Sequence, residues 1–226
     1  MAKHQKQTME EKLNTLRAGV LGSNDGILTV VGVLVSVAAA TTNSFTIFVA
    51  GLSDLLACAF SMGAGEYASV STQKDTEKAA VEKERQLLKT DFAGELAAVT
   101  QYYEAKGISP QTSAAIAQDL LAKKPLETVV KVKYNVELGH YLNPWDAAFS
   151  SLVSAGLGGI LPLVAMTFTP GVAKWPMTIL AVMVTSALVG YISARLGDGN
   201  PKVAMLRNII IGLITVAIHY FVGKLF

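Results

Sequence analysis

Between Ala147 and Thr169, and again between Trp175 and Ala194, the chain runs without one charged side chain. Runs of about 20 apolar residues are long enough to carry a helix across about 30 Å of hydrocarbon. A helix is the economical form there, because every backbone polar group is satisfied within the segment. Three further stretches share this character: Ala18 to Thr42, Thr46 to Ala68 and Asn208 to Gly223. The chain is therefore expected to be an all-α integral membrane protein with five transmembrane helices.

The charges lie elsewhere. Only 16% of the 226 residues are charged and the mean hydropathy is +0.42, too apolar for an ordinary soluble domain. Of the 36 Asp, Glu, Lys and Arg residues, 20 fall between Val70 and Leu142, ten of each sign. That block is read as a solvated helical bundle inserted between spans two and three. Helices are expected over Thr76–Lys89, Glu95–Ala105, Gln111–Lys123 and Pro125–Leu138, with Ser109-Pro110 as a helix start. The expected division is 1–17 as an N-terminal segment, 18–68 as spans one and two, 69–145 as the bundle and 146–226 as spans three to five.

Basic residues orient this arrangement. Lys3, Lys6, Lys12, Arg17, the bundle's lysines, Arg195, Lys202 and Arg207 share one side of a five-span topology, and the opposite side holds Lys174 and Lys224. The positive-inside rule then puts the N-terminus and bundle in the cytoplasm and the C-terminus outside. A net charge of +2 points to no acidic partner, and no nucleic acid is expected. No processed leader is expected either. The compact length and absence of a targeting segment favour a prokaryotic plasma membrane.

Span two is unusual. Leu52 to Ser71 carries Asp54, Cys58, Met62 and Glu66, which at about 100° per residue stay on one side of a helix. An intramembrane carboxylate costs a few kcal/mol unless it faces water or a partner. Carboxylate, thiol, thioether and carboxylate together form a ligand set for a divalent transition metal. Cys58, the lone cysteine, is read first as a small hydrophobe. In span one, Asp25 lies in Ser23-Asn24-Asp25-Gly26. That turn-like run is read as a local loosening of the helix that frees carbonyls as ligands, in preference to a helix start with an Asp near its N-terminal end. Antiparallel spans would bring Asp25 and Met62 to similar depth, with Asp54 further along. His219 is read as an interfacial residue.

The runs Ser23-Asn24-Asp25-Gly26-Ile27 and Ser61-Met62-Gly63-Ala64-Gly65-Glu66-Tyr67 together resemble the vacuolar iron transporter family. The resemblance runs nearly end to end, through Gln73-Lys74-Asp75-Thr76-Glu77, Glu137-Leu138-Gly139 and Leu161-Pro162-Leu163. It implies a homodimer with the ion path between protomers, and ferrous iron or manganese leaving the cytosol in exchange for protons. Asp25 and Met62 match the family's path ligands, Asp54 falls where the family can carry an acid, and Glu66 belongs to the cytoplasmic entrance.

The resemblance also implies a metal cluster in the bundle, built from Glu-x-x-Glu pairs and a Met-Met pair. Glu84, Glu95 and Glu137 match three of those positions, while Leu87, Ala98, Lys133 and Tyr134 stand at the others. A lysine in place of a thioether removes a donor and adds repulsion, so a full cluster is not expected, with Glu82 and Glu104 as substitutes.

The resulting expectation is a proton-coupled exporter of Fe2+ or Mn2+, with the metal as cargo, no cofactor, and the lipid bilayer as its setting. The alternative is a membrane protein that binds or senses metal without moving it. An enzyme is not expected: ferritin-like oxidase chemistry calls for Glu-x-x-His motifs on a pair of facing helices, and the sequence has no such pair, with His4 and His140 outside the spans.

Overall fold

The structure, a computed structural model, describes residues 9–225. Eight α-helices follow one another: α1 (Met9–Ala40), α2 (Ser44–Thr90), α3 (Phe92–Ala105), α4 (Pro110–Lys123), α5 (Pro125–Tyr134), α6 (Pro144–Phe168), α7 (Lys174–Leu196) and α8 (Pro201–Gly223). A 3-10 turn at Gly171–Ala173 leads into α7. Among the described residues there is no strand. Five helices are long and apolar enough to cross a membrane: α1, α2, α6, α7 with its leading turn, and α8. The chain forms two compact units, one of residues up to Ser69 and from Asn143 onward, the other Val70–Leu142.

In the first unit α1 is the central helix, packed against α6, α7 and α8. Its Ile27, Val30, Val31, Leu34, Val35 and Ala38 are all buried, at helical spacing, and join Ile47 and Leu55 of α2, Leu163 and Met166 of α6, Val182 of α7 and Val216 of α8 in one core. The outward side chains are apolar too, with Phe45, Phe60, Phe149, Phe168 and Phe221 exposed. A unit apolar both inside and out is suited to lipid as solvent. Aromatic pairs mark the two helix ends where such a unit meets water. Tyr67 meets Trp145 in a tilted contact with ring centroids 4.7 Å apart, and Tyr220 meets Trp175 edge-to-face at 5.4 Å.

The expected loosening at Ser23-Asn24-Asp25-Gly26 does not occur. Helix α1 runs unbroken through it, and Ser23 Oγ donates 2.8 Å back to the Gly19 carbonyl. Turn-forming residues win in water, where freed backbone groups find solvent; in an apolar surround the internal hydrogen bonds prevail. The glycines serve close approach instead. A Cβ on Gly26 would strike the Ala155 backbone, and one on Gly22 would strike Ser151. Small residues thus let α1 and α6 meet almost backbone to backbone. Pro162 is accommodated within α6 without ending it. His219, read as interfacial, is half-buried, with its ring against Gly32 and Nδ1 2.9 Å from the Thr215 carbonyl oxygen.

The second unit is built from the last part of α2 with α3, α4 and α5. Its core is Val81, Val99, Ala117, Leu121, Val129 and Val130. The helix expected over Thr76–Lys89 is no separate element: it continues α2, because no Gly or Pro interrupts the chain between Gly65 and Thr90. Asp91 caps α3, accepting from the Gly94 N–H at 3.0 Å. Ser109 caps α4 with Pro110 at its first position. Helix α5 stops at Tyr134, four residues short of the expected end, because Asn135 turns left-handed at φ 57°.

Candidate functional site

Helices α1 and α2 run side by side in opposite directions, and polar residues meet across them in a single register. Cys58 Sγ donates to Asp25 Oδ2 at 3.4 Å. One turn away, Thr29 stands opposite Asp54 and also near Cys58. Two turns the other way, Arg17 Nη2 lies 3.4 Å from Glu66 Oε2 and 3.1 Å from Asn14 Oδ1. Each step along α2 is matched by an equal step back along α1, as antiparallel helices of equal rise require.

Between these rungs lies Met62, half-buried on α2 and packed against the buried Cys58, Ala59 and Ala155. Asp54, Cys58 and Glu66 thus each face a polar residue of α1, while Met62 packs toward Ala155 of α6. The depths differ from expectation in one respect. Asp25 sits level with Cys58, one turn from Met62, because the α1–α2 packing sets their offset. Asp54 lies one turn further along α2, its carboxylate in electrostatic reach of Asp25.

Two buried atoms between α1 and α2 lack a well-formed hydrogen bond. Asp54 and Thr29 face each other as polar neighbours, but neither Asp54 Oδ2 nor Thr29 Oγ1 has a partner at good hydrogen-bond distance and geometry among the described residues. Buried polar atoms are satisfied in the great majority of proteins, so such orphans ask for a ligand, ion or proton. Two hard carboxylates with a thiol and a thioether form a mixed donor set that favours borderline ions over Mg2+ or Ca2+. Glu66 is not free in this arrangement, since Arg17 neutralises it. Among the described residues, no three His, Cys, Asp or Glu side chains come close enough to hold a metal by themselves.

Sequence reasoning undervalued three residues here. Cys58 is a polar neighbour of Asp25 as well as a small buried group, a role its four-residue spacing from Asp54 and Met62 had indicated. Thr29 carried the same signal, one turn beyond Asp25. Arg17 marked only the edge of span one, and nothing local pointed to its pairing with Glu66.

In the second unit, Glu84 of α2 and Glu95 of α3 are buried side by side, 1% and 3% exposed. Between them sits Lys133 of α5, its Nζ 2.8 Å from Glu84 Oε2 and 2.6 Å from Glu95 Oε1, while Tyr134 donates to Glu84 Oε1 at 2.8 Å. Burial works to raise the Glu84 carboxyl, but the hydrogen bonds from Lys133 and Tyr134 overcome it and hold the group below the usual carboxylate range. Burial likewise works to lower Lys133, and the two carboxylates more than reverse it, so its ammonium is held above the ordinary lysine range. The hydrogen bond to Glu84, with burial, pushes the Tyr134 hydroxyl up.

Glu137, expected beside Glu84 and Glu95, is instead exposed and pairs with Lys131 at 3.1 Å. It follows the left-handed Asn135, outside any helix, which carries it away from the α5 face. Glu82 is exposed and bonds Arg85 and Gln86, and Glu104 is exposed as well, so neither substitutes. The residues present do not fit the metal cluster that the family resemblance implies.

Comparison with known proteins finds relatives along nearly the whole chain. The chain is 32% identical over 214 residues to a protein named vacuolar iron transporter from Acanthamoeba castellanii, covering 93% of this chain and 78% of that one. It is 24% identical over 226 residues to vacuolar iron transporter 1 of Tulipa gesneriana, covering 96% and 91%. Vacuolar iron transporter homolog 2 of Oryza sativa subsp. japonica is 28% identical over 215 residues, covering 93% and 90%. These relatives are named as transporters, not enzymes. The family model described as VIT family matches residues 16–224, and the chain belongs to that family.

Proposed function

We propose that the protein carries ferrous iron or manganese out of the cytosol in exchange for protons, along the α1–α2 groove. The observation that carries this reading is the meeting of Asp25 with Cys58, with the Asp54 carboxylate in electrostatic reach and Met62 packed on Cys58, in a unit otherwise packed for lipid. The names of the relatives supply the cargo class, iron.

The chemistry follows from what each group can hold. Asp25 and Asp54 accept either a divalent ion or protons, and binding one displaces the other. Metal loads from the cytoplasmic side, and protons reload the carboxylates from the opposite side. The Met62 thioether, with the Cys58 thiol, turns preference away from the more abundant Mg2+. Glu66 at the cytoplasmic mouth meets the incoming ion, exchanging its Arg17 partner for it.

One chain offers too few donors for a closed coordination shell, which supports a homodimer whose second copy faces the groove. The N-terminus and the polar unit lie in the cytoplasm and the C-terminus outside, in accord with the distribution of basic residues. In a cell without a vacuole this polarity is efflux across the plasma membrane.

The test is metal flux into proteoliposomes under an imposed proton gradient, with Fe2+, Mn2+, Zn2+ and Mg2+ offered in turn and internal pH followed. Metal entry coupled to proton exit, lost in Asp25→Asn, is the expected result. Binding without flux under any gradient would replace the transporter reading with that of a metal-sensing membrane protein.

A further inference from the structure

We propose that Lys133 is a built-in cation that does in the polar unit what a bound metal would do, so that this unit is ordered without metal. The inference concerns a site separate from the α1–α2 groove and does not rest on the transport reading.

Three helices converge on one ammonium. Glu84 comes from α2, Glu95 from α3 and Lys133 from α5, separated by 49 and 38 positions in sequence from the lysine. Two carboxylates that are buried together cannot both stay ionised without a cation between them. Removing one partner of a buried ion pair leaves an uncompensated charge and is strongly destabilising. The side chain of Lys133 is 25% exposed, so its stem reaches in from the surface and delivers the charge to the interior.

The ammonium also excludes a metal. Its Nζ lies 2.8 and 2.6 Å from the carboxylate oxygens, so it fills the space that an ion ligated by both would need. Oxygen ligands sit about 2.0–2.6 Å from Mg2+ or Ca2+, leaving no room for ion and ammonium together. The remaining groups add no ligand, since Tyr134 is bonded to Glu84 and Glu137 is turned away on Lys131. A tethered lysine cannot be stripped by a chelator, so the three helices stay joined whatever the metal supply.

Limited digestion of the purified full-length chain in detergent by proteinase K, read as the rate of cleavage within residues 70–142, tests this. In the wild type that rate is expected to change less than twofold between chelator and excess Mn2+. Lys133→Met in chelator is expected to be cut at least tenfold faster, and Mn2+ is expected to restore resistance through the two freed carboxylates and the new thioether. The triple variant Lys133→Met, Glu84→Gln, Glu95→Gln, with no charge left to neutralise, is expected to resist without metal. Recovery by either route supports the proposal. A wild type that loses resistance in chelator overturns it, as does Lys133→Met that resists in chelator. A single variant rescued neither by Mn2+ nor by the two glutamines overturns it too, since the loss would then be one of packing.

Discussion

The thiol of Cys58 donates a hydrogen bond to the carboxylate of Asp25 across 3.4 Å, joining the one cysteine of the chain to the one acid of the central helix's apolar stretch. A thiol in that position holds the carboxylate's orientation and offers a soft donor beside it. Cys58→Ser keeps a donor to Asp25 and removes the sulfur, whereas Cys58→Ala removes both. Both changes are expected to lower Fe2+ uptake by about tenfold, the lower end of what losing a supporting group costs a metal site. Only Cys58→Ser is expected to retain Asp25-dependent uptake of Mg2+. Competition between Fe2+ and Mg2+ in proteoliposomes reads the difference.

Arg17 and Glu66 form the outermost rung, with the arginine side chain 55% exposed and the glutamate 9%. The arginine end is open to water, so the attraction itself is worth about 1 kcal/mol at most. Arg17→Gln nonetheless leaves the buried Glu66 carboxylate uncompensated and is expected to lower thermal stability. It frees Glu66, so the apparent KM for metal should fall a few-fold, most clearly at low ionic strength where the removed charge is least screened. Flux measured at two salt concentrations checks both parts.

Gly26 and Gly65 make a controlled pair. A Cβ at Gly26 has the Ala155 backbone in its way, and one at Gly65 has nothing within 4 Å. Overpacking a tight contact costs about 1–3 kcal/mol, and here the obstacle is backbone. Gly26→Ala is expected to fall in thermal stability and yield, while Gly65→Ala, within an exposed helix interior, matches or exceeds the wild type. Fluorescence-detected size-exclusion after heating compares the two.

The ion cluster in the polar unit sets a pH window. Glu84 has a folded pKa below its unfolded value, so its contribution is present above about pH 4.3 and lost as pH falls through the depressed value. Lys133 has a raised folded pKa, so its contribution is full below about pH 10.4 and lost as pH rises through the raised value. Protection of amides in residues 70–142 is expected to be flat between these limits and to fall at both ends. Glu84→Gln should remove its share of the acid limb. Hydrogen exchange followed by mass spectrometry, corrected for intrinsic rates, measures this.

Much of this architecture is legible in the order of the residues. The apolar runs mark the spans because lipid leaves a segment few alternatives to a helix, and Ser109-Pro110 marks a start because its chemistry is local. Composition misleads at the end of span two. The shift from Ala and Leu to Lys and Glu reads as a boundary, but nothing between Gly65 and Thr90 stops a helix, and α2 continues. Ser23-Asn24-Asp25-Gly26 misleads in the opposite sense, being a turn signal only where water can take up the freed backbone groups.

By itself the sequence determined which segments are apolar, which face of α2 carries Asp54, Cys58, Met62 and Glu66, and to which family the chain belongs, since periodicity and motif are properties of neighbours in the chain. Tertiary structure alone decided that Asp25 meets Cys58 rather than Met62, that Arg17 answers Glu66, and that Lys133 reaches Glu84 and Glu95. Each of those pairings depends on how far one helix slides along another. That offset is set by side-chain packing summed over contacts between distant residues, which no local pattern records.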